Sequence, residues 1–314
     1  MKAPAVVVAG EALIDLIEDD TGRRPHPGGG PFNTAVSLGR LGVPVGFLGR
    51  LSEDAFGRLL DERLAESGVD RRYVLHGQAP TPLAVVHAKS DGDHDFSFYL
   101  AGTAYADVTV ADLPELEQEV AALHVGTLAL ATDPPAAAFE ELIQRESKTR
   151  LVVVDPNIRP AVCGDRDAYV QRFESWSGQA HVIKLSDDDA DWLYPGVAYE
   201  TVVESILERG ARLVVLTLGP GGALARTPVA SARVASPPVD VVDTVGAGDA
   251  FGAGLLRRLW ETGRLDARTV ELMNDEELAD VVSFAAAVAA LQCSRAGATP
   301  PTLDEVERFL RLPR

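Results

Sequence analysis

One short stretch of the sequence, DTVGAGDAFGAG at 243–254, concentrates residues that could do chemistry. It holds four glycines and two aspartates, and Asp249 directly follows the Gly-Ala-Gly turn at 246–248. Helical periodicity follows Asp249, and SPPVDVVDTV (236–245) before it has the pattern of a strand that ends in a turn. A glycine-rich turn at a helix N-terminus exposes backbone N–H groups, and the helix dipole adds positive potential. The stretch therefore predicts an anion site beside a carboxylate; a plain helix start capped by Asp249 is the alternative.

A carboxylate next to an anion hole is suited to phosphoryl transfer to an alcohol. Asp249 would be the general base that takes the proton of the attacking hydroxyl. The backbone of three residues would stabilise charge on the moving phosphoryl group: Gly246, Ala247 and Gly248. The sequence contains neither a G-x-x-x-x-G-K-[ST] loop nor a G-x-G-x-x-G fingerprint after its first strand, so any nucleotide is bound by other means.

The elements that must position this turn alternate along the chain. Short apolar runs predict buried strands at 5–10, 151–156, 181–185 and 213–219. Segments of helical periodicity predict helices at 31–42, 54–67, 135–148, 201–210, 246–261 and 277–292. This alternation predicts an α/β fold with a mostly parallel central sheet and helices on both faces.

Two stretches have a different pattern. Residues 12–25 and 73–100 alternate apolar and polar side chains, and the second contains the turn SDGD at 90–93. Such alternation predicts antiparallel strands, here a small β-sheet lid on a single domain spanning 1–314. Exposed lid strands could also pair two copies into a homodimer.

Composition restricts the classes of partner. The chain has 314 residues, 46% of them hydrophobic, and a formal net charge of -18. The charge argues against a nucleic acid or an anionic membrane as partner. The two cysteines, Cys163 and Cys293, form neither a metal-binding spacing nor a disulfide framework. The apolar run near the N-terminus meets acidic residues at once, as in a core strand, so we expect a cytoplasmic protein.

Two long motifs resemble the signatures of the ribokinase/fructokinase (PfkB) family of carbohydrate kinases. DTVGAGDAFGAG is similar to the C-terminal signature of that family. GGGPFNTAVSLGRLGVPVGFLGRLSEDAFG (28–57) is similar to its N-terminal signature. The resemblance covers essentially the whole chain and implies a ribokinase-like three-layer α/β/α domain that uses ATP and Mg²⁺.

The resemblance also implies a sugar site made by the N-terminal half. Its polar members would be Asp15 in GEALIDLI, which can accept from two sugar hydroxyls, and Asn33. DPNIRP (155–160) follows a central strand, where ligands of open α/β sheets bind, and contributes Arg159. The remaining members would be the glycines that let the backbone approach the sugar and the aromatic residues of the lid: Gly29, Gly30, Phe98 and Tyr99.

VIKLSDDDADWLYPG (182–196) is similar to the family segment that places a lysine and an Asn-x-x-Glu pair near ATP and Mg²⁺. Here Ser186 and Asp189 stand in the Asn and Glu positions. The resemblance implies ATP contacts for Lys184 and Ser186 and a magnesium contact for Asp189. An N-cap at Ser186 with an acidic first helical turn is the alternative.

Two further segments complete the predicted nucleotide side. VVLTLGPGGALA (214–225) is similar to the family's T-x-G-x-x-G turn. It implies residues that border the triphosphate: Thr217, Gly219 and Gly222. SFAAAVAALQCSRAGATPP (283–301) resembles the segment that borders adenine and, in several members, helps hold a monovalent cation such as K⁺. The matching cation groups are the side chain of Asp243 and the backbone of Val245, Arg295 and Gly297.

We therefore expect ATP-dependent phosphorylation of a primary hydroxyl on a small sugar, and the motifs are most similar to the fructokinase-like subgroup. 2-Keto-3-deoxygluconate kinase, another sugar or nucleoside kinase, and a non-catalytic sugar-binding regulator are the alternatives. A sugar acid requires a cation, preferably arginine, and Leu100 stands after Tyr99 where ketodeoxygluconate kinases tend to place one. A dinucleotide-dependent dehydrogenase is disfavoured because its glycine fingerprint is missing.

Overall fold

A computed structural model describes residues 3–19, 22–88 and 94–311 of the chain. Apolar, β-branched runs form most of its strands, since such side chains pack well on a pleated, buried surface. The strands are β1 (Val6–Ala9), β2 (Leu13–Asp19), β3 (Gly22–Gly28), β4 (Val45–Ser52), β5 (Val74–Gly77), β6 (Leu83–Ala88), β7 (His94–Tyr99), β8 (Ala122–Gly126), β9 (Leu151–Asp155), β10 (Val182–Ser186), β11 (Leu213–Thr217), β12 (Ala223–Arg226) and β13 (Ser231–Val234).

Nine of these strands form the main sheet, in the order β13-β12-β11-β10-β9-β8-β1-β4-β5. From β11 to β5 all neighbours are parallel, and β12 and β13 continue the sheet as an antiparallel hairpin. The helices are α1 (Gly30–Arg40), α2 (Ala55–Glu66), α3 (Pro135–Glu146), α4 (Pro160–Cys163), α5 (Arg166–Ser177), α6 (Asp187–Leu193), α7 (Tyr199–Arg209), α8 (Ala247–Glu261), α9 (Ala267–Glu271), α10 (Asp275–Cys293) and α11 (Leu303–Arg311). Within the described residues, each predicted helix lies within three residues of an observed one.

The core has two halves, one on each face of the main sheet. Along β1, Val6 and Val8 pack into the half that includes side chains of α1, α8 and α10. Val7 and Ala9 pack into the other half, with side chains of α3, α5 and α7. Because successive side chains of a strand point to opposite faces, an apolar run such as VVVA needs cover on both sides. The predicted three-layer α/β/α arrangement is confirmed.

The small second sheet differs from the prediction in two respects. Its strand order is β3-β2-β6-β7, and β2 pairs with β6 in parallel, so the sheet is mixed rather than antiparallel. The long connection between these strands returns β6 to the sheet in the direction of β2. The segment Val74–Gly77, predicted to belong to the lid, instead pairs with β4 at the edge of the main sheet. The predicted turn at 90–93 lies outside the described residues.

The segment at 236–245 is not the predicted strand. Its residues have no strand assignment, and Val241 and Val242 are 65% and 63% exposed. Pro237 and Pro238 lack the N–H groups that a sheet ladder requires, which explains the irregular path. In the part of the chain that the structure describes, no helix is both long and apolar enough to cross a bilayer.

Candidate active site

A cavity of about 750 Å³ opens where five parallel strands of the main sheet end. Residues at or just beyond the carboxyl ends of β1, β8, β9, β10 and β11 line it, and the small sheet contributes Asp15 and Phe98. The start of α8 closes another side. This position agrees with the expectation for a ligand site in an open α/β sheet.

Asp249 stands in the first turn of α8 and is 7% exposed. Its Oδ2 accepts a hydrogen bond from Nδ2 of Asn33 at 3.0 Å, and its Oδ1 lies 3.5 Å from Nδ2 of Asn157. Burial raises the pKa of the Asp249 carboxyl, while the Asn33 hydrogen bond and the charges of Lys184 and Arg159 lower it. The chain thus holds one oriented, buried carboxylate at the predicted place of the base.

The turn before Asp249 has a backbone conformation that favours glycine. Gly246 is the N-cap of α8 with φ 75°, a left-handed conformation. A Cβ on Gly248 would lie 3.1 Å from Nζ of Lys184, so this glycine keeps the space between helix and lysine open. The amide of Ala247, however, donates to the carbonyl of Thr244 at 3.1 Å. Gly246 and Gly248 line the cavity, whereas the Ala247 amide is engaged within the turn, so the three-residue anion hole stays a prediction.

Lys184 lies beneath this turn in a buried ion pair. Its Nζ is 2.8 Å from Oδ2 of Asp155, and both side chains are at most 5% exposed. Asp155 raises the pKa of Lys184 against the opposing effect of burial, so the lysine stays charged at the floor of the cavity. It lines the predicted phosphate side, held by the fold rather than extended toward solvent.

The glycine loop before α1 and the carboxylate of Asp15 meet at the sugar side. A Cβ on Gly28 would lie 2.0 Å from Oδ2 of Asp15, so this glycine, which sequence reasoning missed, is required by the carboxylate. Gly29 has φ 106° and lines the cavity together with Gly30. Burial and the nearby charge of Asp249 raise the pKa of Asp15 to about 7.

Glu11 is a second residue that sequence reasoning missed. It is 2% exposed, and its carboxylate accepts from the amides of Gly30 at 3.1 Å and Ala129 at 3.2 Å. Burial raises its pKa to about 8. Glu11 therefore ties the glycine loop to the segment after β8; an acidic residue inside the apolar run of GEALIDLI was the available signal.

Asn157 and Thr127 form a strained pair in the same cavity. They are the non-glycine residues with positive φ in the described chain, at 39° and 57°. Nδ2 of Asn157 donates to Oγ1 of Thr127 at 3.3 Å, and Oδ1 of Asn157 accepts from Arg159 at 2.8 Å. Such backbone strain is concentrated at functional sites. The fold thus brings Arg159 to the cavity, as predicted, and adds Asn157, which follows β9 in DPNIRP.

Ser186 and Asp189 form a capping box at the start of α6. Oγ of Ser186 accepts from the Asp189 amide at 3.0 Å, and Oδ2 of Asp189 accepts from the Ser186 amide at 2.9 Å. Oδ1 of Asp189 accepts from the amide of Ile158 at 2.7 Å. Each oxygen of this carboxylate, 4% exposed, already has a backbone donor, so the geometry supports the capping alternative rather than the predicted magnesium contact.

The T-x-G-x-x-G turn lies where the nucleotide side was predicted. Thr217, Gly219 and Gly222 line the cavity at the end of β11. A Cβ on Gly222 would lie 1.9 Å from the carbonyl oxygen of Val234, so the β11–β12 hairpin and β13 require glycine there. Tyr99 does not line this cavity, and its side chain is 60% exposed. Phe98 faces the cavity, and adjacent residues of a strand face opposite sides, so a sugar contact by Tyr99 is unsupported.

Of the predicted cation groups, two carbonyls meet one side chain, Gln292. Nε2 of Gln292 donates to the carbonyl oxygens of Val245 at 3.0 Å and Gly297 at 2.7 Å. The carboxylate of Asp243 accepts from the amides of Val245 at 3.0 Å and Gly297 at 2.8 Å. The side chain of Arg295 is paired with Glu305 at 2.7 Å.

Comparison with known proteins agrees with this geometry. A model of the pfkB family of carbohydrate kinases matches residues 3–305. The chain is 37% identical over 279 residues to a fructokinase of Rhizobium leguminosarum bv. trifolii, covering 87% of this chain and 85% of that protein. The structure of Xylella fastidiosa fructokinase with bound ATP is 28% identical, with a TM-score of 0.89 over 98% of both chains. A fructokinase double mutant from Vibrio cholerae O395, in a form with fructose, ADP and potassium bound, is 29% identical, with a TM-score of 0.86 over 99% of this chain and 100% of that chain.

Proposed function

Because the chain belongs to the pfkB family of carbohydrate kinases, we propose that it phosphorylates a primary hydroxyl of fructose with ATP. The chain is an ATP-dependent sugar kinase, and fructose is the acceptor that its site supports best. The observation that carries the assignment to a kinase is the buried carboxylate of Asp249, held by Asn33 at the N-terminus of α8 in the same cavity as Asp15. A binding protein without catalysis would have no need of that arrangement.

In the proposed reaction, Asp249 accepts the proton of the fructose hydroxyl as its oxygen attacks the γ-phosphorus of ATP. A bond forms between that oxygen and phosphorus, the bond to the β–γ bridging oxygen breaks, and ADP leaves. The N-terminus of α8 and the charge of Lys184 favour the negative charge on the moving group. The hydrogen bond from Asn33 keeps the carboxylate turned toward the cavity.

The charges of the cavity favour a neutral ketose over a sugar acid. Carboxylates of Asp15 and Asp249 line it, with Glu11 beside them. Lys184 is already paired with Asp155, which leaves Arg159 as the cation nearest the sugar side. A sugar carboxylate would add a negative charge beside carboxyl groups whose own pKa values are already raised by burial, and it would meet one counter-charge. The hydroxyls of fructose add no charge and can bind to the same groups.

We place Mg²⁺ on the phosphates of ATP, because this ion usually binds through substrate phosphates, water and one or two carboxylates. In residues 3–19, 22–88 and 94–311, no group of three or more metal-binding side chains stands ready to hold a metal. Asp187 and Asp188 line the nucleotide side, near the water shell that the ion would have there. When bound, the ion supplies positive charge at the phosphates.

We also place the protein in the cytoplasm, where ATP is available and where its two free cysteines would stay reduced.

The homodimer expected from the lid would pair the outer strands of the small sheet, β3 or β7. Light scattering of the purified chain gives its mass in solution. A monomer at assay concentration would contradict the dimer and leave the reaction untouched.

The decisive experiment is a coupled assay of ADP release with fructose, aldoses, sugar acids and nucleosides. We expect fructose to exceed 2-keto-3-deoxygluconate in kcat/KM by at least about tenfold, equivalent to roughly 1.4 kcal/mol at the transition state. A preference for the sugar acid that collapses in Arg159→Ala would overturn the assignment to fructose.

A further inference from the structure

The turn that starts α8 is tied to the loop after α10 by one carboxamide. Gln292 is 1% exposed in the last turn of α10. Its Nε2 donates to the carbonyl oxygens of Val245 at 3.0 Å and Gly297 at 2.7 Å. These two carbonyls were predicted to coordinate a monovalent cation. The structure places an N–H donor of the chain against them instead.

The carboxylate of Asp243, a third predicted cation group, is also engaged within the chain. Asp243 accepts from two backbone amides, as described above. The carbonyl of Gly297 accepts a second hydrogen bond, from the amide of Thr299 at 2.8 Å. A cation site needs several oxygens directed at one empty centre, which replace the ion's water. Here hydrogen-bond donors of the chain already engage three of the four predicted groups, those of Asp243, Val245 and Gly297, so the residues present do not fit the ion.

The orientation of the carboxamide is fixed by its neighbours. Reversal would press Oε1 of Gln292 against the carbonyl oxygens of Val245 and Gly297, and acceptors at hydrogen-bond distance repel one another. Among the described residues, Oε1 is buried without a hydrogen-bond partner. Reversal would therefore cost two hydrogen bonds and leave the two N–H groups without the acceptors they have now.

One peptide unit, between Val245 and Gly246, connects the Gln292 hydrogen bond to the cavity. The carbonyl of Val245 and the amide of Gly246 belong to the same planar peptide, in which C=O and N–H point in opposite directions. A donor on the Val245 oxygen thus fixes the direction of the Gly246 N–H, and Gly246 lines the cavity. A bound cation would hold that carbonyl in the same way.

We infer that the Gln292 carboxamide takes the place of the monovalent cation, so that phosphoryl transfer by this chain does not depend on potassium. Gln292 is then a positioning residue for the turn that begins α8. The expectation that the rate does not depend on potassium rests on the proposed function, whereas the expectation that potassium does not raise Tm does not rest on it.

The first test uses the unchanged protein. Its kcat with fructose and its Tm without ligand are measured in potassium, sodium and lithium chloride at equal ionic strength. We expect less than about a twofold difference in kcat and no selective effect of potassium on Tm, because a filled site adds no binding free energy. A tenfold activation by potassium, or a Tm that potassium raises selectively, would overturn the inference.

The second test empties the site. Gln292→Ala leaves the two carbonyls without their donor, and we expect kcat to fall by about tenfold or more in sodium. Potassium can enter the vacated space, so it should restore most of the rate and raise Tm selectively. Gln292→Met fills the volume without donating, so we expect a similar loss that potassium does not restore. Gln144→Ala changes an exposed residue of α3 and is the control. Its kcat and Tm should equal those of the parent in every salt.

The outcomes separate the two proposals. A parent protein that phosphorylates no sugar in any salt contradicts the proposed function, while its Tm series still tests the cation site. A Gln292→Ala protein that folds, keeps the parental rate and ignores potassium contradicts the inference alone. If Gln292→Ala does not fold, Gln292→Met and the parent's response to potassium decide.

Discussion

Asp249, Asp15 and Glu11 are three carboxyl groups that line the cavity, and burial raises the pKa of each. They differ in their partners. Glu11 is bound by backbone amides, and Asp15 lies against Gly28. Asp249 receives the side chain of Asn33 and faces the open cavity. In the proposed reaction, Asp249 takes the proton of the hydroxyl, Asp15 binds the sugar, and Glu11 holds the glycine loop.

The role of Asp249 as base predicts the behaviour of Asp249→Asn. We expect kcat to fall by about 10²–10⁴-fold, because a positioned base contributes that much to the rate. Calorimetry should show nearly unchanged fructose affinity, since the amide oxygen can still accept from Asn33. Asp304→Asn, an exposed carboxylate on α11, serves as the matched control with parental activity. A rate close to the parent's in Asp249→Asn would refute the assignment.

Asp15 predicts a pH dependence of sugar binding. Its pKa is about 7 in the folded protein, so the carboxylate that accepts from sugar hydroxyls forms as the pH rises through that value. We expect the Kd for fructose to fall from about pH 6 to about pH 8, the interval in which a group with this pKa titrates. In Asp15→Asn the Kd should be about tenfold higher at the upper pH and nearly flat.

ATP binding provides the control for Asp15→Asn and should stay within about twofold of the parent, the effect expected of a distant substitution. Equal losses for fructose and ATP would show that Asp15 is not specific to the sugar side.

Among the secondary-structure elements, α8 combines packing and chemistry. Most of its side chains are buried against the sheet and α10, while its first turn faces the cavity. Two glycines of this helix provide a matched pair. A Cβ on Gly248 would lie 3.1 Å from Nζ of Lys184, whereas a Cβ on Gly252 would lie 3.8 Å from Nε2 of His124, an ordinary contact.

We therefore expect Gly248→Ala to lower kcat by at least about tenfold with little change in Tm, because it disturbs the groups that bind the phosphoryl charge. Gly252→Ala should keep the rate and stabilise the protein by up to about 1 kcal/mol, since alanine is the better helix residue. Steady-state kinetics and thermal melting of both variants test this. If Gly248→Ala unfolds while Gly252→Ala does not, Gly248 is required for the fold of the turn, and its role in binding the phosphoryl charge is contradicted.

At the scale of the whole molecule, the buried carboxyl groups link folding to pH. The ordinary pKa values are 3.8 for aspartate and 4.5 for glutamate, against about 7 for Asp15 and about 8 for Glu11 when folded. At these two groups the folded protein therefore binds more protons than the unfolded chain between these pKa values, and their contribution to the free energy of unfolding falls as the pH rises. The contribution of these two groups to the free energy of unfolding is complete below their ordinary pKa values. It is lost as the pH rises through about 7 for Asp15 and about 8 for Glu11.

Urea unfolding of the ligand-free protein at a series of pH values measures this effect. We expect a loss on the order of a few kcal/mol from about pH 5 to about pH 8. Glu11→Gln cannot titrate, so its curve should be flatter than the parent's. Parallel curves for the two proteins would contradict the raised pKa of Glu11.

Local physics explains how much the sequence determined by itself. Apolar runs such as LVVVD at β9 and the helical periodicity after Asp249 have one low-energy conformation once they are buried. Four parallel strands of the main sheet, six helices and the α/β class could therefore be predicted. The Gly-Ala-Gly-Asp turn also carries its chemistry locally, because a helix N-terminus and a carboxylate need no distant partner to suggest an anion site.

Only the tertiary structure decided which groups meet, since partners far apart in the chain depend on how the layers pack. It joined the carboxylate of Asp189 to the amide of Ile158, and Lys184 to Asp155. It placed Gln292 against Val245, which lies 47 positions away. Sequence spacing cannot show whether an oxygen is still free to bind a ligand, because each hydrogen bond already formed across the fold removes a lone pair from that use.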